Sequence, residues 1–513
     1  MTAETNRWIL RVQLSPPTLQ DNTADTDRLI GALKSALRST EVYSDIALIR
    51  RIPVLIREYD YKATCILFKN DSVWQLIDLA PYDFNGHLLG IAVDLGTSRV
   101  VLRLIDLASG EPCGEAAFDN PQIAVAPDIL ARIHFAQNTK GLNHLTHLII
   151  SGLNEQIGAL CRGQGVSSQD IYLVAVAGNT AMTHLFMGLD ARWMIREPYI
   201  PAVNRPGVTA ASDLGLDLHP AARAFIFPNV GSYFGGDLIA GILYAGLHGE
   251  EETGILVDVG TNAEVVVGNR DWLIACAGAA GPALEGGVTR MGMMAARGVI
   301  DRVEIDPKTH DFKLHTIGET PPVGICGSGV IDLAAQLFLT GMIDFRGRIV
   351  PSVCGERCFE KDGLMHLKVV FAKHSATGKD LTISQADIDS LVRSKAAMYT
   401  ILETITQSVG IELNDIRKFY VAGTFGSFIN PQSAVSIGML PDIPLRCFQP
   451  LGNSSLNGAA MLLAHCACMD EIDEIRNRIT YLELNVNQAF MNRFSAAKFL
   501  PHTDTSLFPS VGR

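Results

Sequence analysis

The chain has 513 residues, of which 48% are hydrophobic and 19% charged, and its formal net charge is −12. That length exceeds what one hydrophobic core usually serves, so two to four domains are expected. The acidic balance offers no basic stripe for nucleic acid. The apolar stretch near Leu238–Gly246 is far short of the roughly 20 residues of a membrane span. "MTAETNRWILRV" lacks the basic-then-apolar layout of a secretory signal. A cytoplasmic protein with neither nucleic-acid nor membrane partners is the expectation.

Residues 1–88 read as a small α+β domain. "RWILRVQL" is a strand, "SPPTLQDNTADTD" is turn and cap chemistry leading into a helix over about 28–39, and "ATCILFK" and "VWQLIDL" pair around Asn70-Asp71-Ser72. From residue 90 onward strands alternate with long amphipathic segments such as 141–163 and 383–410, the pattern of an α/β architecture. "GIAVDLGT" at 90–97 returns as "GILVDVGT" at 254–261. Each copy is followed by a strand ending in Ala-Gly, "VAVAGNT" and then "YVAGTFG". The order predicts a duplicated domain: a first lobe over 89–250, a second over 251–470 with an insertion around 300–380, and a C-terminal extension over 471–513.

A D-x-G-T turn suits a hairpin on conformational grounds alone, but two copies in one apolar frame call for a further use of each residue. Gly96 and Gly260 admit a phosphate to the backbone, and Thr97 and Thr261 add hydroxyl donors beside Ser98 and Asn262. Asp94 and Asp258, at strand ends, are the expected Mg2+ positions, acting through water because magnesium dehydrates reluctantly. No G-x-x-x-x-G-K-[ST] is present, and no G-x-G-x-x-G opens a helix after a strand. Asp237 in "YFGGDLIAG" reads either as a helix cap or as a carboxylate orienting the attacking group at a γ-phosphate. Glu285 with Gly286, and Gly327-Ser328-Gly329, are glycine-rich helix starts, suited to anions or to tight helix packing.

The ten cysteines show no common iron–sulfur run. Cys354 with Cys358, and Cys466 with Cys468, are the close pairs, as thiols or as metal ligands.

The order Asp94-x-Gly96-Thr97, Gly178-Asn179-Thr180, Asp258-x-Gly260-Thr261, Gly423-Thr424-Phe425-Gly426, then "LGNSSLNGAAMLL" resembles the acetate and sugar kinase, heat-shock chaperone and actin superfamily. The resemblance implies a duplicated actin-like (ribonuclease H-like) ATPase domain with two lobes that hold ATP and Mg2+ between them. Gly178, Asn179 and Thr180 would form the first connecting motif, and Gly423, Thr424 and Gly426 the adenosine motif. Longer phrases, among them "DNPQIAVAPDILARI", "FPNVGSYFGGDLIAGIL", "AGPALEGGVTRMGMMAARGVID" and "YLELNVNQAFMNRFSAAKFLPH", resemble reductive activators of corrinoid proteins over about residues 7–510. That resemblance implies an ATPase that helps return cob(II)alamin in a corrinoid protein to cob(I)alamin, and a homodimer. The best-known members carry an iron–sulfur domain at one end. This sequence shows neither form of it, so no cluster is expected in the chain and a separate ferredoxin-like donor is. A small-molecule kinase and a nucleotide-gated, chaperone-like binder are the alternatives.

Overall fold

The computed structural model describes residues 8–260, 263–278, 289–423, 429–482 and 488–511. Two units emerge, Met1–Tyr244 with Ser454–Arg478, and Ala245–Asn453 with Ile479–Arg513. The chain thus returns to its first unit late, through a segment that the sequence reading placed in the second lobe and the C-terminal extension.

The first unit begins with strands Ile9–Gln13 (β1), Val42–Ser44 (β2), Lys62–Asn70 (β3) and Val73–Pro81 (β4), in the order β1-β3-β4-β2. β3 and β4 pair antiparallel across Asp71-Ser72, and Asp71 takes the left-handed φ of 54° that such a turn needs. The helix Asp25–Leu37 starts three residues before its expected position, with Asp25 and Asp27 in the first turn, where carboxylates favour the helix dipole. Fully buried Trp8 stacks on Phe68 at 5.0 Å, and its indole Nε1 donates to the carbonyl of Leu462 at 3.0 Å. Lys69 pairs with Asp470 at 2.6 Å, so this sheet is tied to the late-returning segment of its own unit by both packing and charge.

The unit's larger sheet contains Leu89–Leu95 (β5), Arg99–Asp106 (β6), Pro112–Asp119 (β7), Ile171–Gly178 (β8), Gly207–Ala210 (β9) and Arg223–Ile226 (β10), ordered β7-β6-β5-β8-β10-β9. β5, β6 and β7 form an antiparallel meander, while β8 runs parallel to β5, and β10 parallel to β8. Five residues of β5, Leu89 to Val93, are buried in succession because both faces are covered. Ile91, Val93 and Leu95 pack with Leu145, Ile149 and Leu153 of the helix Thr139–Gln164. Gly90 lies against Leu463 of the helix Ser454–Ala464.

The second unit repeats the plan. Its strands are Gly254–Val259 (β11), Ala263–Gly268 (β12), Leu273–Gly278 (β13), Val299–Ile305 (β14), Phe312–Thr316 (β15), Gly324–Ile325 (β16), Cys358–Lys361 (β17), Leu364–Val370 (β18), Leu381–Ser384 (β19), Lys418–Ala422 (β20), Phe448–Gly452 (β21) and Ile479–Tyr481 (β22). The main sheet is ordered β21-β20-β11-β12-β13-β22. Its run β13-β12-β11-β20-β21 matches β7-β6-β5-β8-β10, so the duplication in the sequence is a duplication of the fold. Within the insertion β14 and β15 form an antiparallel hairpin, and β17–β19 form a second small sheet. The helix Gln385–Ser408 opens with a Ser384–Asp387 capping box. Its fully buried Lys395 donates to the carbonyls of Phe499 at 2.5 Å and Pro501 at 2.6 Å, anchoring the C-terminal tail, and burial lowers the ammonium's pKa well below its usual value.

Candidate functional site

Asp94 is the penultimate residue of β5 and Asp258 the penultimate residue of β11, each half-buried at a strand end. After Asp94 the chain turns through Gly96, Thr97 and Ser98 into β6. A Cβ on Gly96 would lie 2.2 Å from the carbonyl oxygen of Arg99, so the turn itself demands glycine. Asn120, 1% exposed at the end of β7, secures this turn twice. Its side-chain Nδ2 donates to Gly96 O at 2.9 Å, and its backbone N–H donates to Ser98 O at 2.9 Å.

Parallel pairing sets Leu95 opposite Gly178, which brings the end of β8 beside the hairpin. Asn179 then caps the helix Thr180–Phe186: its Oδ1 accepts from the backbone N–H of Met182 at 2.9 Å. Its Nδ2 donates to Thr97 Oγ1 at 3.0 Å. Thr180, by contrast, is 1% exposed and donates its hydroxyl to Gly231 O at 3.1 Å, which anchors the following loop.

That loop ends at Gly235 and Gly236. A Cβ on Gly235 would stand 2.5 Å from Asn179 Cα, and one on Gly236 2.6 Å from Phe227 Cβ. The two glycines therefore let the helix Gly236–Ala245 start against the Gly178–Asn179 turn. Asp237 lies inside the first turn of this helix, not at its cap position, and its Oδ1 accepts from the Leu238 N–H at 2.9 Å.

Sequence reading does not single out Asn120 or Ser455. Ser455, in the first turn of the helix Ser454–Ala464, donates to Asp94 Oδ1 at 2.8 Å. The two residues are 361 positions apart. The serine pair in "LGNSSLNGAA" is a visible signal of a helix start, but no local pattern tells which strand end it meets.

In the second unit Asp258 stands across from Glu264 on β12 and Ala422 on β20. Gly423 follows with a φ of +81°, and a Cβ there would come within 2.9 Å of Asp258 Oδ1. This glycine lets the backbone pass close to the carboxylate. Gly260 closes β11, half-buried. Gly327, Ser328 and Gly329 open the helix Gly327–Leu339. A Cβ on Gly329 would lie 2.4 Å from Ile300 O, so this glycine serves helix-to-sheet packing, and buried Ser328 meets Cys326 Sγ of its own helix cap at 3.2 Å. Thr261, Asn262, Glu285, Gly286, Thr424 and Gly426 lie outside the described residues.

Cys354, Cys466 and Cys468 are buried thiols, and burial raises the pKa of the first two to about 11 and of Cys468 to about 12. Cys354 Sγ donates to Met342 O, and Cys358 is half-buried. Among the described residues no group of three or more His, Cys, Asp or Glu is placed to hold a metal ion, and no helix is long and apolar enough to cross a membrane.

The helix behind Asn179 also carries a pH-sensitive group. His184 is fully buried, its Nδ1–H donates to Thr180 O at 2.7 Å, and its Nε2 accepts from Val203 N–H at 3.3 Å. Burial holds its pKa below the usual 6.5. The unfolded chain therefore binds the extra proton first. The stability tied to neutral His184 is complete above about pH 6.5 and is lost as the pH falls toward the folded value. Between pH 8 and pH 5.5 His184→Gln is expected to lose less stability than the wild type in urea unfolding. An equal loss in both proteins would show that His184 is not the group responsible.

Two sheets that share a five-strand order, each with a strand-end aspartate followed two residues on by glycine, define an actin-like ATPase architecture with an added N-terminal α+β domain. Three family models match in succession: the RACo linker region over residues 2–86, the RACo middle region over 89–250, and the C-terminal ASKHA domain of RACo over 252–512. The chain belongs to the RACo family, and its ASKHA domain makes it a nucleotide-binding protein. It is 37% identical to a solved "Reductive activator for corrinoid,iron-sulfur protein", with a TM-score of 0.88 over 100% of this chain and 82% of that one. It is 30% identical over 429 residues to the corrinoid activation enzyme RamQ of Eubacterium limosum, covering 82% of this chain and 72% of the relative. A [Co(II) methylated amine-specific corrinoid protein] reductase of Methanosarcina barkeri is 24% identical over 449 residues, covering 79% and 76%.

Proposed function

We propose that this protein is an ATP-dependent reductive activator of a corrinoid protein, which couples ATP binding and hydrolysis to the one-electron reduction of cob(II)alamin to cob(I)alamin. The observation that carries the reading is the succession of linker, middle and ASKHA regions along residues 2–512, with an aspartate at the strand end of each repeated hairpin. The residues fit a hydrated magnesium ion and a phosphate. Asp94 is half-buried, steadied by the Ser455 hydroxyl, and Thr97 stands three residues further on. Each of Asp94 and Asp258, taken within its own unit, is suited to meet a hydrated Mg2+ through the ion's water shell. When bound, Mg2+ neutralises charge on the phosphoryl oxygens. Thr97 and the Gly96 turn contact phosphate, Gly423 leaves room beside Asp258, and Asp237 orients the water that attacks the γ-phosphate.

Reducing Co(II) to Co(I) is uphill at the cobalt's resting potential. ATP assists it only insofar as the nucleotide-bound protein binds the two cobalt states, or their coordination geometries, with different affinity. The electron comes from a separate iron–sulfur protein. In support of that, the ten cysteines of the sequence show no common iron–sulfur run. A homodimer in the cytoplasm is the form proposed to act.

The test mixes the protein with Mg2+, ATP, a low-potential reductant and a candidate corrinoid protein, and follows the cob(I)alamin absorption band. ATP-dependent gain of Co(I) is expected, together with ATPase activity stimulated by the Co(II) partner. Absence of that gain with every corrinoid protein encoded nearby would overturn the reading. ATP-dependent phosphorylation of a small hydroxyl compound would replace it with a kinase that uses Asp237 as its base.

A further inference from the structure

We propose that Asn179 is a positioning residue that sets the direction of the Thr97 hydroxyl, so that Thr97 donates its proton to a nucleotide phosphate; the inference rests on the nucleotide reading of the first hairpin. Two hydrogen bonds carry it. A backbone N–H has only a proton to offer, so the Asn179 oxygen that meets Met182 N at 2.9 Å must be the carbonyl oxygen Oδ1. The other end of the amide is then the NH2 group, and it faces Thr97 Oγ1 at 3.0 Å. An NH2 group cannot accept. Thr97 Oγ1 therefore receives a proton from Asn179, and its own O–H is turned away to serve another acceptor.

Among the described residues the Thr97 hydroxyl proton meets no acceptor in the chain, and the half-buried side chain lies in the turn two residues after β5. A hydroxyl locked as a donor suits an anion and disfavours a cation or a second donor. Neighbouring bonds hold the device still. Asn120 fixes Gly96 O and Ser98 O on either side of Thr97, and the helix cap fixes the Asn179 amide. The helix start thus dictates the polarity of the hairpin, and the amide acts on the ligand through Thr97.

Serine caps a helix about as well as asparagine but has no NH2 group to offer Thr97, so N179S separates the two jobs of this residue. ATP affinity, measured by calorimetry with Mg2+–ATP, is expected to fall about tenfold in N179S, the worth of one hydrogen bond to a charged group. The melting temperature should hold, and the ATPase defect should appear in KM more than in kcat. T97V should lose a similar factor, and N179S/T97V no more than T97V alone. N179D keeps the cap but presents an acceptor to Thr97, which would turn the hydroxyl round. It should bind ATP more weakly than N179S, and it carries the test if serine lowers the melting temperature. Unchanged affinity in N179S, or an equal further loss when N179S is added to T97V, would overturn the proposal, the second result pointing to direct ligand contact by Asn179. Wild-type protein that binds no ATP would instead bring down the nucleotide reading itself.

Discussion

Asp94→Ala and Asp258→Ala are each expected to lower ATP turnover by about a hundredfold or more, the usual cost of removing a group aimed at transition-state charge. Both substitutions should leave the fold intact. Each aspartate stands at a half-buried strand end outside the apolar core, so its loss removes little packing. At Asp94 the change also strips Ser455 of its acceptor, a loss of about 1 kcal/mol that does not unfold a domain. Asp94→Asn keeps the acceptor oxygen for Ser455 but removes the charge, and should be nearly as inactive as the alanine variant. Phosphate release and far-ultraviolet circular dichroism together decide the matter. Wild-type turnover in both alanine variants would undo the assignment of the hairpins.

Gly458→Ala should be among the most damaging single-methyl changes in the first unit. The residue lies in the helix Ser454–Ala464, and a Cβ there would stand 2.0 Å from the carbonyl oxygen of Ala240 in the helix Gly236–Ala245. Helix propensity alone predicts a gain of about 1 kcal/mol from glycine to alanine. The clash is with backbone, which no rotamer change relieves, and overpacking of this kind costs about 1–3 kcal/mol or more. The clash wins. The displaced helix carries Ser455, which holds Asp94, and its neighbour carries Asp237. A shift of about 1 Å can cost up to a hundredfold in rate. A lower melting temperature and a matching loss of ATP turnover are expected. A raised melting temperature with full turnover would mean that the two helices do not approach so closely.

The hairpins were legible because their signal is local. Strand propensity, a terminal aspartate and a glycine that the turn requires all fall within eight residues, and repetition separated them from ordinary turns. Asp94, Gly96, Thr97, Asn179 and Asp237 assemble in one unit because adjacent parallel strands place their ends together, a consequence of α/β order. Other positions read identically in sequence but differ in place. Thr180 and Gly329 follow the same small-residue pattern as their neighbours, yet the structure commits them to a loop carbonyl and a close helix-to-sheet contact. Burial, which no short window displays, separates these cases.

The sequence by itself determined the duplicated α/β plan, the position of both strand-end aspartates and the kinship with corrinoid-protein activators, since each is written in contiguous phrases. The tertiary structure alone decided that Ser454–Arg478 returns to the first unit, that Ser455 bonds to Asp94, and that Asn179 bonds to Thr97. Those facts depend on which surfaces meet once both faces of a sheet must be covered. That choice is made by the packing of residues hundreds of positions apart.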